Sequence, residues 1–184
     1  MLFYTARTDL DGLPGLAICQ RIVERRGHVT NLSQPAIFLM AEDDPDDRFL
    51  IKEAFAEGRV ANRMLFVQDG VELIDYLVGR GRYADRRASP FPDLILLDLN
   101  MPRKDGREAM EEIKANPLWR RIPVVVMTTS KTEEDILRSY DIGAAGFVTK
   151  PITFVGLVEV IRGLEDYWVQ TVRLPPHRDG ESTQ

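Results

Sequence analysis

Five short apolar runs recur along the chain: AIFLMA (36–41), RMLFVQ (63–68), DLILLD (93–98), IPVVVMTT (122–129) and AGFVTK (145–150). Each is followed by a segment with helical spacing, starting with EDDPDDRFLIKEAFAEG (42–58) and GVELIDYLVG (70–79). REAMEEIKAN (107–116), TEEDILRSYDIGA (132–144) and TFVGLVEVIRGLEDYWVQTV (153–172) complete the set. Strands without polar alternation have protein on both faces, and strands alternating with helices read as a parallel sheet covered on both sides. From Pro35 onward the chain is therefore expected to form a doubly wound α/β domain, a five-stranded parallel sheet with helices on both faces. Open sheets of this type bind ligands outside the carboxyl ends of their strands. The residues just after each run thus become the candidates for function.

Those residues are chemically coherent. Glu42, Asp43 and Asp44 follow the first run, Asp98 the third, Thr128, Thr129 and Ser130 end the fourth, and Lys150 and Pro151 follow the fifth. Carboxylates brought together at one rim repel, by on the order of a few kcal/mol per close pair at an effective dielectric of about 20. A hard divalent cation offsets this, and Mg2+ fits because it keeps several waters and shares its shell with phosphate. Lys150 adds a point charge. A strand-tip carboxylate beside a metal, a lysine and a hydroxyl can act as nucleophile toward a phosphoryl group. On this reading Asp98 attacks phosphorus, Thr128 hydrogen-bonds a phosphoryl oxygen, and Lys150 pairs with another.

Plainer readings stand beside each residue. Asp44-Pro45-Asp46-Asp47 reads as an N-cap, a first-position proline and acids that complement the helix dipole. Asp98 alone would be a turn residue, with Asn100-Met101-Pro102 opening the way into the next helix and Gly106 supplying backbone freedom. Ser130 or Thr132 is the expected cap of the fourth helix. Lys150 alone could be solvated, and Phe147 could be core.

Taken together, EDD after the first strand, LLDLNMPRKDG at the third, VVVMTTS at the fourth and FVTKP at the fifth resemble the receiver domain of two-component response regulators, over about residues 35–172. The resemblance implies the flavodoxin-like fold. It implies Asp98 as phosphoacceptor, Glu42 and Asp43 as the acidic pair, and Mg2+ held by Glu42, Asp43, Asp98 and the backbone carbonyl of Asn100. It also implies Thr128 as the conserved hydroxyl, Lys150 as the lysine, Phe147 as the switch aromatic coupled to Thr128, and a cis bond at Lys150-Pro151. The loop GRYADRRASPFP and the ending DYWVQTVRLPP resemble single-domain regulators paired with bacterial phytochromes. That subgroup implies a sensor histidine kinase partner and a homodimer through the fourth helix, fifth strand and fifth helix.

The rest of the chain narrows the field. A net charge of −5 gives no general pull toward nucleic acid or an anionic membrane. The single cysteine, Cys19, forms no intramolecular disulfide, and no window approaches a membrane span. MLFYTARTDLDGLPG is too interrupted by polar residues for a signal peptide, so a cytoplasmic protein is expected. Residues 1–34 read as an extension of unknown role and 173–184 as a polar tail, with no output domain after 172. Arg80, Arg82, Arg86 and Arg87 read as a solvated loop or a contact for an acidic partner, and Tyr167-Trp168-Val169 as packing with surplus apolar surface. His28 and His177 have no ligand spacing. A haloacid dehalogenase-type phosphatase is the rival enzyme, but it wants a second acid where Asn100 stands. A receiver-like module working without phosphorylation is the rival binding protein.

Overall fold

The structure is a computed structural model and describes residues 35–57, 62–130 and 132–175. The N-terminal extension, the tail beyond 175, Cys19, His28 and His177 lie outside the described residues. Strands β1 (Ile37–Ala41), β2 (Arg63–Val67), β3 (Leu94–Leu97), β4 (Val124–Thr128) and β5 (Gly146–Thr149) form one sheet in the order β2-β1-β3-β4-β5. Every pairing is parallel. Helices α1 (Pro45–Ala56), α2 (Gly70–Val78), α3 (Gly106–Ala115), α4 (Glu133–Ile142) and α5 (Phe154–Glu165) follow the strands in turn. The expected fold is the one observed.

The uniformly apolar strands sort their side chains by the two-residue period onto two cores. Leu39, Ala41, Ile95, Leu97, Val124 and Val126 pack with Leu73 and Leu77 of α2 and with Met110 and Ile113 of α3. Phe38, Met40, Leu94, Leu96, Val125 and Met127 pack instead with Ile51 and Ala54 of α1 and with Leu157 and Ile161 of α5. Burying each of the larger of these side chains contributes about 1.5–3 kcal/mol. In α4 only Ser139 is fully buried, so that helix is held by fewer core contacts than the others.

Several boundaries differ from the sequence reading, for identifiable reasons. The α3 helix starts at Gly106 because Asp105 caps it in a reciprocal capping box with Glu108. Gly106 does not supply an unusual backbone angle. A Cβ there would lie 2.0 Å from the Asp98 carbonyl oxygen, so glycine is required for close approach. The left-handed residue of this turn is Arg103, at φ 66°. The last helix ends at Glu165 and continues as a π-helical turn, Asp166–Thr171. There the Val172 amide donates to Tyr167 O at 3.0 Å, a five-residue step. Thr132, rather than Ser130, caps α4.

Candidate functional site

Backbone pairing determines which residues meet at the rim. Ala41 is in register with Leu97, Leu97 with Val126, and Thr128 with Thr149, so Glu42, Asp98, Thr128 and Lys150 stand at the same end of the sheet. Continuing the ladder past the strands, Glu42 N donates to Val67 O at 3.0 Å, Asp98 N to Ala41 O at 3.1 Å, and Lys150 N to Thr128 O at 2.8 Å. Three functional side chains are thereby anchored through their own main chain.

Lys150 is the electrostatic hub. Its Nζ lies 2.7 Å from Asp98 Oδ2, 2.8 Å from Asp47 Oδ2 and 2.5 Å from Glu42 Oε2. The Lys150, Asp98 and Glu42 side chains are only 8%, 7% and 1% exposed. Burial works to lower the Lys150 pKa, but hydrogen bonds to Asp47 and Asp98 and the charge of the Glu42 carboxylate outweigh it and hold the ammonium well above its ordinary value. Burial pushes Glu42 the other way for a carboxylate, up to about 7, against the opposing pull of Lys150. Glu42 Oε2 accepts no hydrogen bond of good geometry, even from the nearby ammonium.

Glu42, Asp43 and Asp98 each offer an oxygen, and these atoms lie within 4.8 Å of one another. Three carboxylates, one of them with an oxygen that no donor satisfies, fit a divalent cation that prefers oxygen. The partly exposed Asp43 leaves room for metal-bound water. The loop that carries the pair is clamped by Arg48, whose guanidinium donates to the carbonyls of Glu42 and Asp43, each at 2.7 Å. Asn100 lies just beyond Asp98, and its amide donates to Asp98 Oδ1 at 3.1 Å.

Thr128 is fully buried, and its hydroxyl accepts from the Ser130 amide at 3.4 Å. Ser130 Oγ in turn donates to the Asp135 carboxylate, which also pairs with Arg107, while the Asp135 amide donates to Thr132 Oγ1 at 3.2 Å. Hydrogen bonds from Ser130, Arg107 and the Thr132 cap hold the Asp135 carboxyl down at about 2. Thus the loop after β4 is tied to both α3 and α4. Phe147, on β5, is half-buried against the core on the side of Ile142 and Ala144.

Two sequence expectations need correction. The described residues contain no cis peptide bond, so Lys150-Pro151 is trans, and Lys150 reaches the rim without it. The arginine loop is not merely solvated. Arg86 donates to the α2 carbonyls of Tyr76 at 2.8 Å and Leu77 at 2.7 Å and stacks 4.4 Å from the Phe91 ring centre. Arg80 pairs with Asp75 at 2.8 Å, and Arg82 pairs with Glu72. Asp47 was read only as a helix-dipole acid. Its place at the site comes from tertiary packing, which brings the first turn of α1 to Lys150, 2.8 Å away and 103 residues on. Asp69, buried and paired with Arg103, was missed altogether, and no local spacing signals a contact across 34 residues.

The family described as "Response regulator receiver domain" matches residues 38–162. Response regulator Rcp1 of Synechocystis sp. is 40% identical over 141 residues, which cover 77% of this chain and 94% of that protein. The crystal structure of the phosphorylated cyanobacterial phytochrome response regulator RcpA superposes with a TM-score of 0.72 at 42% identity, covering 78% of this chain and all of that one. The Mn2+-bound form of Rcp1 gives a TM-score of 0.70 at 39% identity, covering 77% of this chain and 100% of that one.

Proposed function

The chain belongs to the response regulator receiver family of two-component signalling, and from that premise we propose that Asp98 accepts a phosphoryl group from a phosphohistidine of a sensor histidine kinase. The observation that carries the reading is the meeting of Asp98 with Lys150 at 2.7 Å, beside Glu42 and Asp43 and at the same sheet end as Thr128. Membership in this family sets aside the dehalogenase-type alternative, and the protein is not a metabolic enzyme.

In the proposed reaction an Asp98 carboxylate oxygen attacks phosphorus in line with the histidine nitrogen. The O–P bond forms as the P–N bond breaks, and the imidazole leaves. Lys150 pairs with a phosphoryl oxygen and the Thr128 hydroxyl donates to another, so charge is met by groups already positioned. Glu42, Asp43, Asp98 and the Asn100 carbonyl would hold Mg2+, which when bound neutralises charge on the transferring phosphoryl group. The same groups assist hydrolysis of the aspartyl phosphate, so the protein contributes to its own reset. As Thr128 turns toward the phosphoryl group it releases Ser130, and Phe147 moves into the space beside it. The altered α4 surface is the output.

The likeness to the cyanobacterial phytochrome response regulator RcpA supports a kinase of the bacterial phytochrome class as partner. The receiver unit spans 35–172, with 1–34 an extension and 173–184 a tail. A homodimer through α4, β5 and α5 is supported by the exposed apolar residues Leu137 and Tyr140 on α4 and Phe154 and Val155 on α5. Among the described residues no helix is long and apolar enough to cross a membrane. Signalling from a kinase's cytoplasmic face would place the protein in the cytoplasm.

A direct experiment is to incubate the protein with a small phosphodonor with and without Mg2+ and weigh it. One added phosphoryl group in the presence of Mg2+, absent from Asp98→Ala, supports the reading. No gain in wild type, or equal gain in Asp98→Ala, overturns it.

A further inference from the structure

Lys150 has three ammonium hydrogens and three carboxylate neighbours, Glu42, Asp98 and Asp47. Its hydrogen bonds go to Asp47 and Asp98, and Glu42 lies beside it as a charge partner, so the ammonium is already shared among three acids before any anionic group arrives at Asp98. Of the three partners, Asp47 alone stands outside the carboxylate group suited to a metal, and its side chain is the exposed one at 37%. It is held on the first turn of α1, a turn whose start is fixed by the Asp44 cap and Pro45. Asp47 and Lys150 line one cleft with Leu50, Pro151, Ile152 and Phe154, so the carboxylate sits where the cleft meets solvent.

We propose that Asp47 is a positioning residue that acts through Lys150, drawing the ammonium toward α1 and competing with a phosphoryl group on Asp98 for the same N–H donors. This rests on the phosphoacceptor reading of Asp98. Asp47 touches no reacting atom. It restrains occupancy of the site in two ways: it withholds one donor from the incoming group, and it adds a negative charge next to that group. Its effect on a cation is the reverse, because that same charge makes the rim more attractive to a metal. Removing the charge should therefore move anion and metal affinity in opposite directions, whereas damage to the local fold would weaken both.

The test uses the whole protein and three variants, Asp47→Asn, Asp47→Glu and Asp98→Asn. Beryllium trifluoride anion, a tetrahedral stand-in for the phosphoryl group, is titrated by 19F NMR at saturating Mg2+. Mg2+ alone is titrated by calorimetry. Asp47→Asn is expected to bind the anion roughly tenfold more tightly, a factor that lies between a close charge interaction in bulk water and one near a protein surface, and Mg2+ alone no more tightly than wild type. Asp47→Glu, which keeps the charge, should stay near wild type. Anion affinity that is unchanged or weaker in Asp47→Asn overturns the inference while leaving Asp98 in place as acceptor. A wild type that takes up no anion, or an Asp98→Asn variant that takes up as much, overturns the acceptor reading and this inference with it.

Discussion

Lys150 Nζ and Asp98 Oδ2 meet at 2.7 Å across 52 residues of sequence, at the tips of two strands that are not neighbours in the sheet. The β4 strand lies between β3 and β5, so the contact exists only because Lys150 extends back over the end of β4, where its amide is bonded to Thr128. A cation thereby neutralises acids that the first and third strands bring together.

Replacing Lys150 with methionine keeps the stem and removes the charge. Glu42 and Asp98 are then buried without a cation, and losing one partner of a buried ion pair costs about 3–5 kcal/mol. The metal-free variant should melt well below wild type. Millimolar Mg2+ should raise its melting temperature more than it raises that of wild type, since the metal takes over the missing neutralisation. Equal shifts in the two proteins would contradict this arrangement of charge.

Asp135 ties α4 to α3 and to the loop after β4. Its carboxyl titrates at about 2 in the folded protein, against an ordinary value of 3.8. A lowered carboxyl contributes stability that is present above the unfolded value and is lost as pH falls through the folded one. In Asp135→Asn the part of the acid unfolding curve between about pH 4 and 2 should flatten relative to wild type, measured by urea unfolding at stepped pH. At neutral pH the variant should be less stable. An unchanged slope would show that the cluster carries no net stability.

Asp69 accepts from Glu72 N as the cap of α2 and pairs with Arg103, the left-handed residue of the turn after β3. Asp69→Ala removes a cap worth about 1 kcal/mol and frees that turn. A total loss of about 1–2 kcal/mol in urea unfolding is expected, because the half-exposed ion pair adds little. Mg2+ affinity should fall as well, since the turn carries Asn100. Full Mg2+ affinity in a destabilised variant would separate the turn from the metal site.

Leu137 is 66% exposed on α4 and Val155 69% exposed on α5. Leu137→Glu and Val155→Glu should each leave thermal stability within about 0.5 kcal/mol of wild type, as exposed substitutions do. Sedimentation velocity should show the dimer population falling in both. Wild type that sediments as a monomer at every concentration would remove the proposed interface.

Much of this was legible locally. The apolar runs announced buried parallel strands, and the strand-end rule singled out Glu42, Asp43, Asp98, Thr128 and Lys150 before any contact was known. The helix cap at Asp44 follows from a side chain that bonds to an amide two residues on, a relationship contained within one turn. What was hidden has long sequence separation or depends on shape. Asp47 looked like any acid in a first turn, and Arg86 like any loop arginine. Gly106 looked like a flexible residue when its role is to let α3 approach Asp98.

The sequence by itself determined the strand and helix alternation, the order in which functional side chains arrive at strand ends, and the family to which the pattern belongs. It could do so because periodicity and capping are short-range effects. Only the tertiary structure decided which acid shares Lys150, that Glu42 is buried deeply enough to titrate near 7, and that Asp135 links two helices to the loop beneath Thr128. Those outcomes depend on distance and desolvation between residues brought together by sheet register and helix packing, and no local pattern encodes either quantity.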